Sequence, residues 1–305
     1  MELHTFIEVM LLEIGFIGAG KVGKALGLYF KAHGLNVSGF CSRTEKSAVE
    51  AAVLTSSIAY RTLRELADSS DIIFITVPDQ ALAEVDREAA LMLDGYEVKP
   101  ETFWFHVSGA HSSKILEGIR KAGCETGSMH PLQSFGEPYG SAERLERSWF
   151  TLEGTDKAVL IAQSLLDKTN GKHFRIEAEN KPLFHAGASV VSNFMVTLLE
   201  SGISLFEAAG MDRADIFQAI EPLIESALSN IREKGTIDAL TGPIVRGDYD
   251  TVSVHLKAIG DKMPSELEFY RAAAYKTAMM LDGNRLTHEQ IEKFEGILEV
   301  RIDGR

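Results

Sequence analysis

The chain has 305 residues, of which 45% are hydrophobic and 25% charged, and its formal net charge is −13. Such a chain is long enough for two domains, and its negative charge, with no basic run, argues against a nucleic acid or an anionic membrane surface as a partner. The two cysteines, Cys41 and Cys124, lack the spacing of a disulfide framework or a metal site. Their scarcity favours a reducing, cytoplasmic location.

Residues 1–9 are expected to be a tail, with the folded chain beginning near Met10. The segment contains Glu2 and Glu8, has no cationic start, and its apolar run is too short for a signal peptide. Elsewhere, no segment has the roughly 18 uninterrupted apolar residues of a membrane span. No membrane-spanning segment is therefore predicted.

Residues 10–177 are predicted to form a doubly wound parallel α/β sheet, a Rossmann domain. Short runs rich in Val, Ile and Phe alternate there with longer segments of helical period. The predicted strands are Glu13–Ile17, Asn36–Cys41, Ile72–Val77, Thr102–Val107, Glu125–His130, Trp149–Leu152 and Lys172–Ile176. The first helix is predicted over Val22–His33 and a later one over Ala81–Leu93.

Residues 178–305 are predicted to form an all-helical domain. Its predicted helices are Pro182–Gly210, Asp212–Lys234, a segment around Val252–Ile259, Pro264–Leu281 and Thr287–Val300. The first of them is apolar around most of its circumference, which predicts burial on several sides. A homodimer formed through this domain is therefore expected.

A glycine-rich turn follows the first predicted strand and opens the first helix. It comprises Gly18, Ala19, Gly20, Lys21, Val22 and Gly23. The first glycine permits the tight turn, the second lets backbone approach a pyrophosphate, and the third lets helix and strand pack closely. With a strand before it and a helix after it, the turn is predicted to bind a dinucleotide; the alternative is a glycine turn without a ligand.

The second predicted strand ends in Ser42, Arg43 and Thr44, where an NAD site carries an acidic residue. A guanidinium beside hydroxyl groups suits the 2′-phosphate of NADP(H), so NADP(H) is the expected cofactor. The alternative is that Arg43 only lies over the adenine ring.

Val77, Pro78 and Asp79 follow the next predicted strand and are expected to flank the ribose or nicotinamide. Asp79 has a second interpretation, as the cap of the following helix.

Polar groups at two further strand ends are the catalytic candidates. Ser108 follows His106, and His130 is followed by Pro131. A histidine near its ordinary pKa can exchange a proton with a substrate while a hydride moves, and a hydroxyl can hold the substrate. His130 is the predicted acid/base and Ser108 its helper, whereas a structural role is preferred for His106.

The helical domain supplies weaker candidates. Lys181, His185, Ser189 and Asn193 recur every four residues and form a polar stripe that either lines the cleft or bonds to other helices. His185 and Asn193 are taken as catalytic candidates and Ser189 as a substrate contact. In the Gly/Pro-rich loop that follows, Thr241 and Arg246 are candidates for substrate binding, with a surface ion pair of Arg246 and Asp248 as the alternative.

Seven segments follow one another along the chain: GFIGAGKVG, SRT, VPD, HVSGAH, MHPLQSF, KPLFHAGASVVSN and LTGPIVRGD. In this order they resemble an uncharacterised family of Rossmann-like NADP oxidoreductases with a C-terminal helical domain of unknown function. The resemblance covers nearly all of the chain after residue 12. In architecture the family is similar to pyrroline-5-carboxylate reductase, ketopantoate reductase and 6-phosphogluconate dehydrogenase. This resemblance implies a 6-phosphogluconate-dehydrogenase-like helical domain that dimerises and closes over the cofactor.

Two narrower resemblances concern individual residues. Ser108 and His130 are similar in spacing to an active-site pair of prephenate dehydrogenases, although Ser128 replaces their glycine. Asn193 is similar to the helix asparagine of the β-hydroxyacid dehydrogenases, but Ser189 stands where they have a lysine. Lys181 is not an obvious substitute for that lysine.

The sequence therefore predicts hydride transfer between NADP(H) and a C=O or C=N group of a small metabolite that carries a carboxylate. An NADP-binding sensor or regulatory dimer without turnover is the alternative from another functional class. Some relatives are named for a deazaflavin coenzyme, so this coenzyme is a further alternative as the hydride partner.

Overall fold

The computed structural model describes residues 11–95 and 102–299, so the expected tail 1–9 and the expected start near Met10 lie outside the described residues. The chain forms two compact units, of which the first extends to Ser192 and the second begins at Asn193. The sequence placed the boundary at 177. The intervening segment contains a helix whose first residue, Lys181, bonds to the sheet of the first unit.

The first unit is built on an eight-stranded sheet of order β3-β2-β1-β4-β5-β6-β7-β8. Its strands are β1 (Glu13–Ile17), β2 (Asn36–Cys41), β3 (Ile58–Tyr60), β4 (Ile72–Ile75), β5 (Phe103–His106), β6 (Glu125–Pro131), β7 (Trp149–Gly154) and β8 (Lys172–Arg175). Neighbouring strands are parallel except for the antiparallel pair β6 and β7. The predicted Rossmann fold followed by a helical region is confirmed.

Helices follow most of the strands. They are α1 (Lys21–Ala32), α2 (Glu45–Thr55), α3 (Leu63–Asp68), α4 (Leu82–Leu93), α5 (Glu117–Lys121), α6 (Pro138–Leu145), α7 (Asp156–Lys168) and α8 (Lys181–Val191). Side chains of β4 alternate between two apolar clusters, with Ile72 and Phe74 in one and Ile73 and Ile75 in the other. Because alternate side chains enter alternate clusters, both faces of the sheet are buried under apolar side chains. Polar side chains are then expected at the strand ends.

The second unit is helical throughout its described residues. It comprises α9 (Asn193–Ala208), α10 (Arg213–Asp238), α11 (Tyr249–Lys262), α12 (Leu267–Met280) and α13 (His288–Leu298). A core around Val252, Tyr275 and Phe294 joins the last three helices. Side chains of α9 are not buried within the described chain, and those of α10 are buried only at Ile216 and Ile220.

Three elements differ from the predicted ones. Strand β3 was not predicted, because its three residues are too few to show a period. The single helix expected over 182–210 is interrupted at Ser192, whose φ of −114° departs from the helical value. The last helix, predicted to run to Val300, ends at Leu298, because Glu299 has a left-handed φ of 54°.

The segment Ala178–Ala208 is long and apolar enough to cross a membrane by length and composition, although the sequence predicted no span. None of its most apolar window is buried within the described chain. Lys181 and Glu200 lie in this segment, and a charged side chain is costly in a bilayer. Large exposed apolar patches mark surfaces that contact a protein or a membrane.

Candidate active site

The glycine-rich turn has the geometry of a close approach between loop, helix and strand. Gly18 has a φ of 99°, which favours glycine, and its N–H donates to the Cys41 carbonyl at 2.8 Å. A Cβ on Gly23 would lie 2.5 Å from Thr76 Oγ1 and 2.6 Å from the Gly18 carbonyl oxygen. Thr76 Oγ1 in turn donates to that carbonyl at 2.8 Å. The turn is thus packed directly against the end of β4.

The start of α1 is open to a ligand. Gly20 caps the helix, and a Cβ built on it would meet no atom of the described residues within 4 Å. The first turn, which begins at Lys21, contains no acidic residue to oppose an anion. Free N–H groups and the positive end of the helix dipole therefore fit a pyrophosphate. Ala19 and Val22 complete the predicted loop.

Ser42, Arg43 and Thr44 lie at the end of β2. Arg43 and Thr44 are exposed, and within the described residues Arg43 makes no ion pair. Thr44 Oγ1 donates to Ser47 Oγ at 2.7 Å. The guanidinium is therefore available for a phosphate group.

Sequence reasoning missed a second arginine beside Arg43. Tyr60 of β3 pairs with Cys41 of β2, so Arg61 lies at the neighbouring strand end. Arg61 Nε is 3.9 Å from Glu45 Oε1, and both side chains are exposed, so this pair contributes little to stability. The run Ile-Ala-Tyr before Arg61 was the only sequence signal for this strand.

Val77, Pro78 and Asp79 follow β4, as predicted. Asp79 is exposed and begins a short 3-10 turn that leads into α4. The N-cap positions of this turn and of α4 are Pro78 and Ala81, so Asp79 is not at a cap position and the interpretation as a helix cap is not supported. Burial lowers the pKa of both His130 and Lys181, and the Asp79 charge offsets a small part of that lowering.

His130 and His185 converge on the backbone of Gly109. A Cβ on Gly109 would lie 2.8 Å from His130 Nε2 and 2.7 Å from His185 Nδ1. The two imidazole rings are 6.4 Å apart between centroids and nearly perpendicular. His185 Nδ1 is buried and has no hydrogen-bond partner among the described residues. A buried ring nitrogen without a hydrogen-bond partner is uncommon in folded proteins and marks this point of the structure as a functional candidate.

His130 has a defined tautomer. Its Nδ1 lies 2.9 Å from the Val107 carbonyl oxygen, which can only accept, so Nδ1 carries the hydrogen. Nε2 is therefore the free acceptor in the neutral ring. Burial lowers the pKa of His130 to about 4, whereas the sequence predicted a ring near its ordinary value. Near neutral pH the ring is uncharged and can accept a proton.

His106 and Ser108 form the turn that leads to Gly109. His106 is fully buried, its Nδ1 accepts from the Ser108 N–H at 3.2 Å, and burial lowers its pKa to about 3. Ser108 Oγ accepts from the N–H groups of Ala110 and His111 at 3.2 and 3.1 Å. These bonds hold both side chains in the turn. Ser108 Oγ keeps its own hydrogen to donate, so its role as the helper of His130 stays a prediction, as does the structural role of His106.

Lys181 occupies a place in the site that sequence reasoning did not give it. Its side chain is buried, and its Nζ donates to the Ser108 carbonyl at 3.0 Å and to Ser128 Oγ. Burial lowers the pKa of Lys181 to about 8. The polar stripe noted in the sequence was the available signal, since Lys181 and His185 are one helical turn apart and both face the sheet.

Glu153 is a second residue that the sequence did not indicate. It is buried on β7, where it pairs in register with Ser128 of β6. Its two carboxylate oxygens accept from the N–H and Oγ of Ser113 at 2.7 and 2.6 Å. Glu153 thereby anchors the loop after Gly109 and raises the pKa of Lys181.

The remaining predicted residues do not gather around His130 within the first unit. Ser189 is half-buried on α8, and Asn193 begins α9 in the second unit. Thr241 and Arg246 are exposed on the loop before α11, also in the second unit. Asp248 caps α11 through the N–H of Thr251, and Arg246 makes no ion pair within the described residues, so the predicted alternative of a surface ion pair is not supported.

Two family models match the chain. One describes a Rossmann-like domain and matches residues 3–131, and the other describes a domain of unknown function, DUF2520, and matches residues 148–277. Comparison with curated proteins gave no match.

Several solved structures have a similar fold. A Bacteroides fragilis protein assigned provisionally as an NADP oxidoreductase is 21% identical with a TM-score of 0.69, and the match covers 89% of this chain and 99% of that one. A Thermotoga maritima protein is 22% identical with a TM-score of 0.69, covering 90% and 100%. Pyrroline carboxylate reductase from Plasmodium falciparum, with NADP bound, is 14% identical with a TM-score of 0.57, covering 90% and 100%. At such identities the likeness establishes the fold.

Proposed function

We propose that this chain, which joins a Rossmann-like domain to a DUF2520 domain, is an oxidoreductase that transfers hydride between NADP(H) and a C=O or C=N group of a small carboxylate-bearing metabolite. The observation that carries this proposal is the meeting of His130 Nε2 and His185 Nδ1 at Gly109. This point follows β5, in the same parallel sheet whose β1 leads into the glycine turn. In such sheets ligands bind beyond the carboxyl ends of the strands.

The residues of the first unit fit a nicotinamide dinucleotide. Gly18 to Gly23 would hold the pyrophosphate, Arg43 with Ser42 and Thr44 the 2′-phosphate, and Val77 to Asp79 the ribose side. When bound, the cofactor supplies or accepts the hydride.

His130 would accept the proton of a substrate hydroxyl or ammonium group at Nε2 when the substrate is oxidised. The neutral ring required for this step is present at pH values above about 4. His185 would offer a second ring nitrogen to the same substrate atom. The binding of a substrate carboxylate by Arg246 and Thr241 stays a prediction from the sequence.

The cofactor assignment is tested by titrating the protein with NADPH and NADH by fluorescence. Replacing Arg43 with alanine should weaken NADPH binding by about 10- to 100-fold, because charge-assisted hydrogen bonds contribute about 1.5–3 kcal/mol. NADH binding should change little, since NADH lacks the 2′-phosphate. Arg87→Ala, which removes an exposed arginine of α4, serves as the matched control.

The same preparation then tests turnover against 2-oxo acids and cyclic imines with NADPH. Oxidation of NADPH by one of them would establish the reaction class. Saturable binding without turnover would favour the sensor, and failure to bind either nucleotide would contradict the proposal.

We also propose that a second copy of the chain covers the apolar helices and that the dimer is cytoplasmic. Val196 of α9 is 66% exposed and Leu223 of α10 is 67% exposed within a single chain. Burial of such side chains contributes about 1.5–3 kcal/mol each.

Analytical ultracentrifugation should show a dimer at micromolar concentration and a monomer for Val196→Asp. Val53→Asp, at an equally exposed position on α2, should leave the dimer intact. The proposed dimer would be refuted if the wild-type protein sedimented as a monomer, whether alone or together with lipid vesicles.

A further inference from the structure

Lys181 is a buried cation at the ends of β5 and β6. Its side chain is 1% exposed, and its Nζ bonds to the Ser108 carbonyl and to Ser128 Oγ. Within the described residues no carboxylate oxygen lies within 4.0 Å of Nζ. A buried charge without a contact ion pair is costly, so its presence here calls for a reason other than stability.

We infer that Lys181 is a positioning residue for the reaction proposed above: its ammonium group fixes the strand ends beside His130 and, in addition to burial, opposes protonation of the His130 ring. The role rests on the proposed function, since it acts through the residue assigned there as proton acceptor.

The first part of this role is geometric. Ser108 directly precedes Gly109, on which both imidazole rings converge. Ser128 is two residues before His130 on β6, so the two side chains share a face of the sheet. Lys181 bonds to both serines and lies one turn before His185 on α8. One side chain therefore ties together the three segments that meet at the candidate site.

The second part is electrostatic. A nearby positive charge disfavours protonation of an imidazole ring. Lys181 lowers the pKa of His130 and of His106, in both cases after the larger effect of burial. The groups that act on this cluster are His106 and His111 near β5, His130 on β6, His185 on α8, Asp79 after β4 and Glu153 on β7. The acidic members, Asp79 and Glu153, keep Lys181 itself charged by raising its pKa.

The consequence is that the His130 ring is neutral near neutral pH, with Nε2 free of a proton, and that it holds an accepted proton only weakly. Without the ammonium group, the acidic limb of the pH profile of kcat/KM for substrate oxidation would move to higher pH, because His130 would remain protonated over more of the range.

The test is a titration of the His130 ring by NMR in wild type and in Lys181→Met, a variant of similar volume without charge. The His130 signal is assigned by its absence from His130→Gln. In Lys181→Met the pKa of His130 should rise from about 4 toward the ordinary value of 6.5. Lys121→Met, which removes an exposed lysine of α5, should leave it unchanged.

Two further variants distinguish the loss of the Lys181 charge from misfolding. Lys181→Gln keeps a hydrogen-bonding group without charge and should act like Lys181→Met, whereas Lys181→Arg keeps the charge and should act like wild type. An unchanged His130 titration in either folded neutral variant would overturn the inference. The NMR measurement needs no turnover, so its result is independent of whether a substrate is found.

Discussion

Replacing Gly109 with alanine should reduce turnover about 100-fold or more while the protein still binds NADPH. The added methyl group would lie 2.8 Å from His130 Nε2 and 2.7 Å from His185 Nδ1, which is too close for either ring to stay in place. A displacement of about 1 Å at a reacting group can cost a factor of this size. Steady-state kinetics and NADPH titration of the same preparation separate the two effects.

Gly136→Ala is the matched control for this substitution. Gly136 follows β6, the strand that carries His130, but a Cβ there would meet its nearest neighbour, Arg144, at 3.9 Å. Normal turnover in Gly136→Ala and lost turnover in Gly109→Ala would place the chemistry between the two histidines. Normal turnover in both variants would show that the positions of the His130 and His185 rings do not affect catalysis.

Gly23→Ala should lose both dinucleotide binding and thermal stability. Its methyl group would lie 2.5 Å from Thr76 Oγ1 and 2.6 Å from the Gly18 carbonyl oxygen, so α1 must move away from the turn. Overpacking of this kind costs about 1–3 kcal/mol, which is visible as a lower melting temperature. The NADPH titration and a thermal melt are the measurements.

Gly20→Ala provides the contrast. A Cβ at Gly20 meets no described atom within 4 Å, so the free protein should melt as wild type does, yet the methyl group would stand where the pyrophosphate is expected. Unimpaired NADPH binding in Gly20→Ala would place the cofactor elsewhere.

The sequence predicted most of the sheet because its signals are local. β1 and β2 were predicted with their observed bounds, since each is an apolar run next to a glycine turn or a polar strand end. The three-residue β3 and the interruption at Ser192 have no such signal. Ser192 is neither proline nor glycine, and nothing in the local sequence marks the break.

The candidate site was predicted in part for the same reason. His130 and Gly109 stand at strand ends that the sequence shows directly. Lys181 reaches Ser108 and Ser128 across 73 and 53 residues, and no local pattern records such contacts. Glu153 belongs to a strand predicted only over Trp149–Leu152, and its partner Ser113 is 40 residues away.

The antiparallel pairing of β6 with β7 couples strand alignment to charge. Glu153 stands opposite Ser128, and a slip by one residue would turn that carboxylate to the other face of the sheet. The slipped sheet would leave the Lys181 ammonium group buried without its compensating charge, a penalty that misaligned chains cannot avoid. Gly154, whose Cβ would lie 2.5 Å from the Thr126 carbonyl oxygen, permits a close approach that any bulkier residue would prevent. The charges inside the first unit therefore favour the observed register of β6 and β7 over a register shifted by one residue.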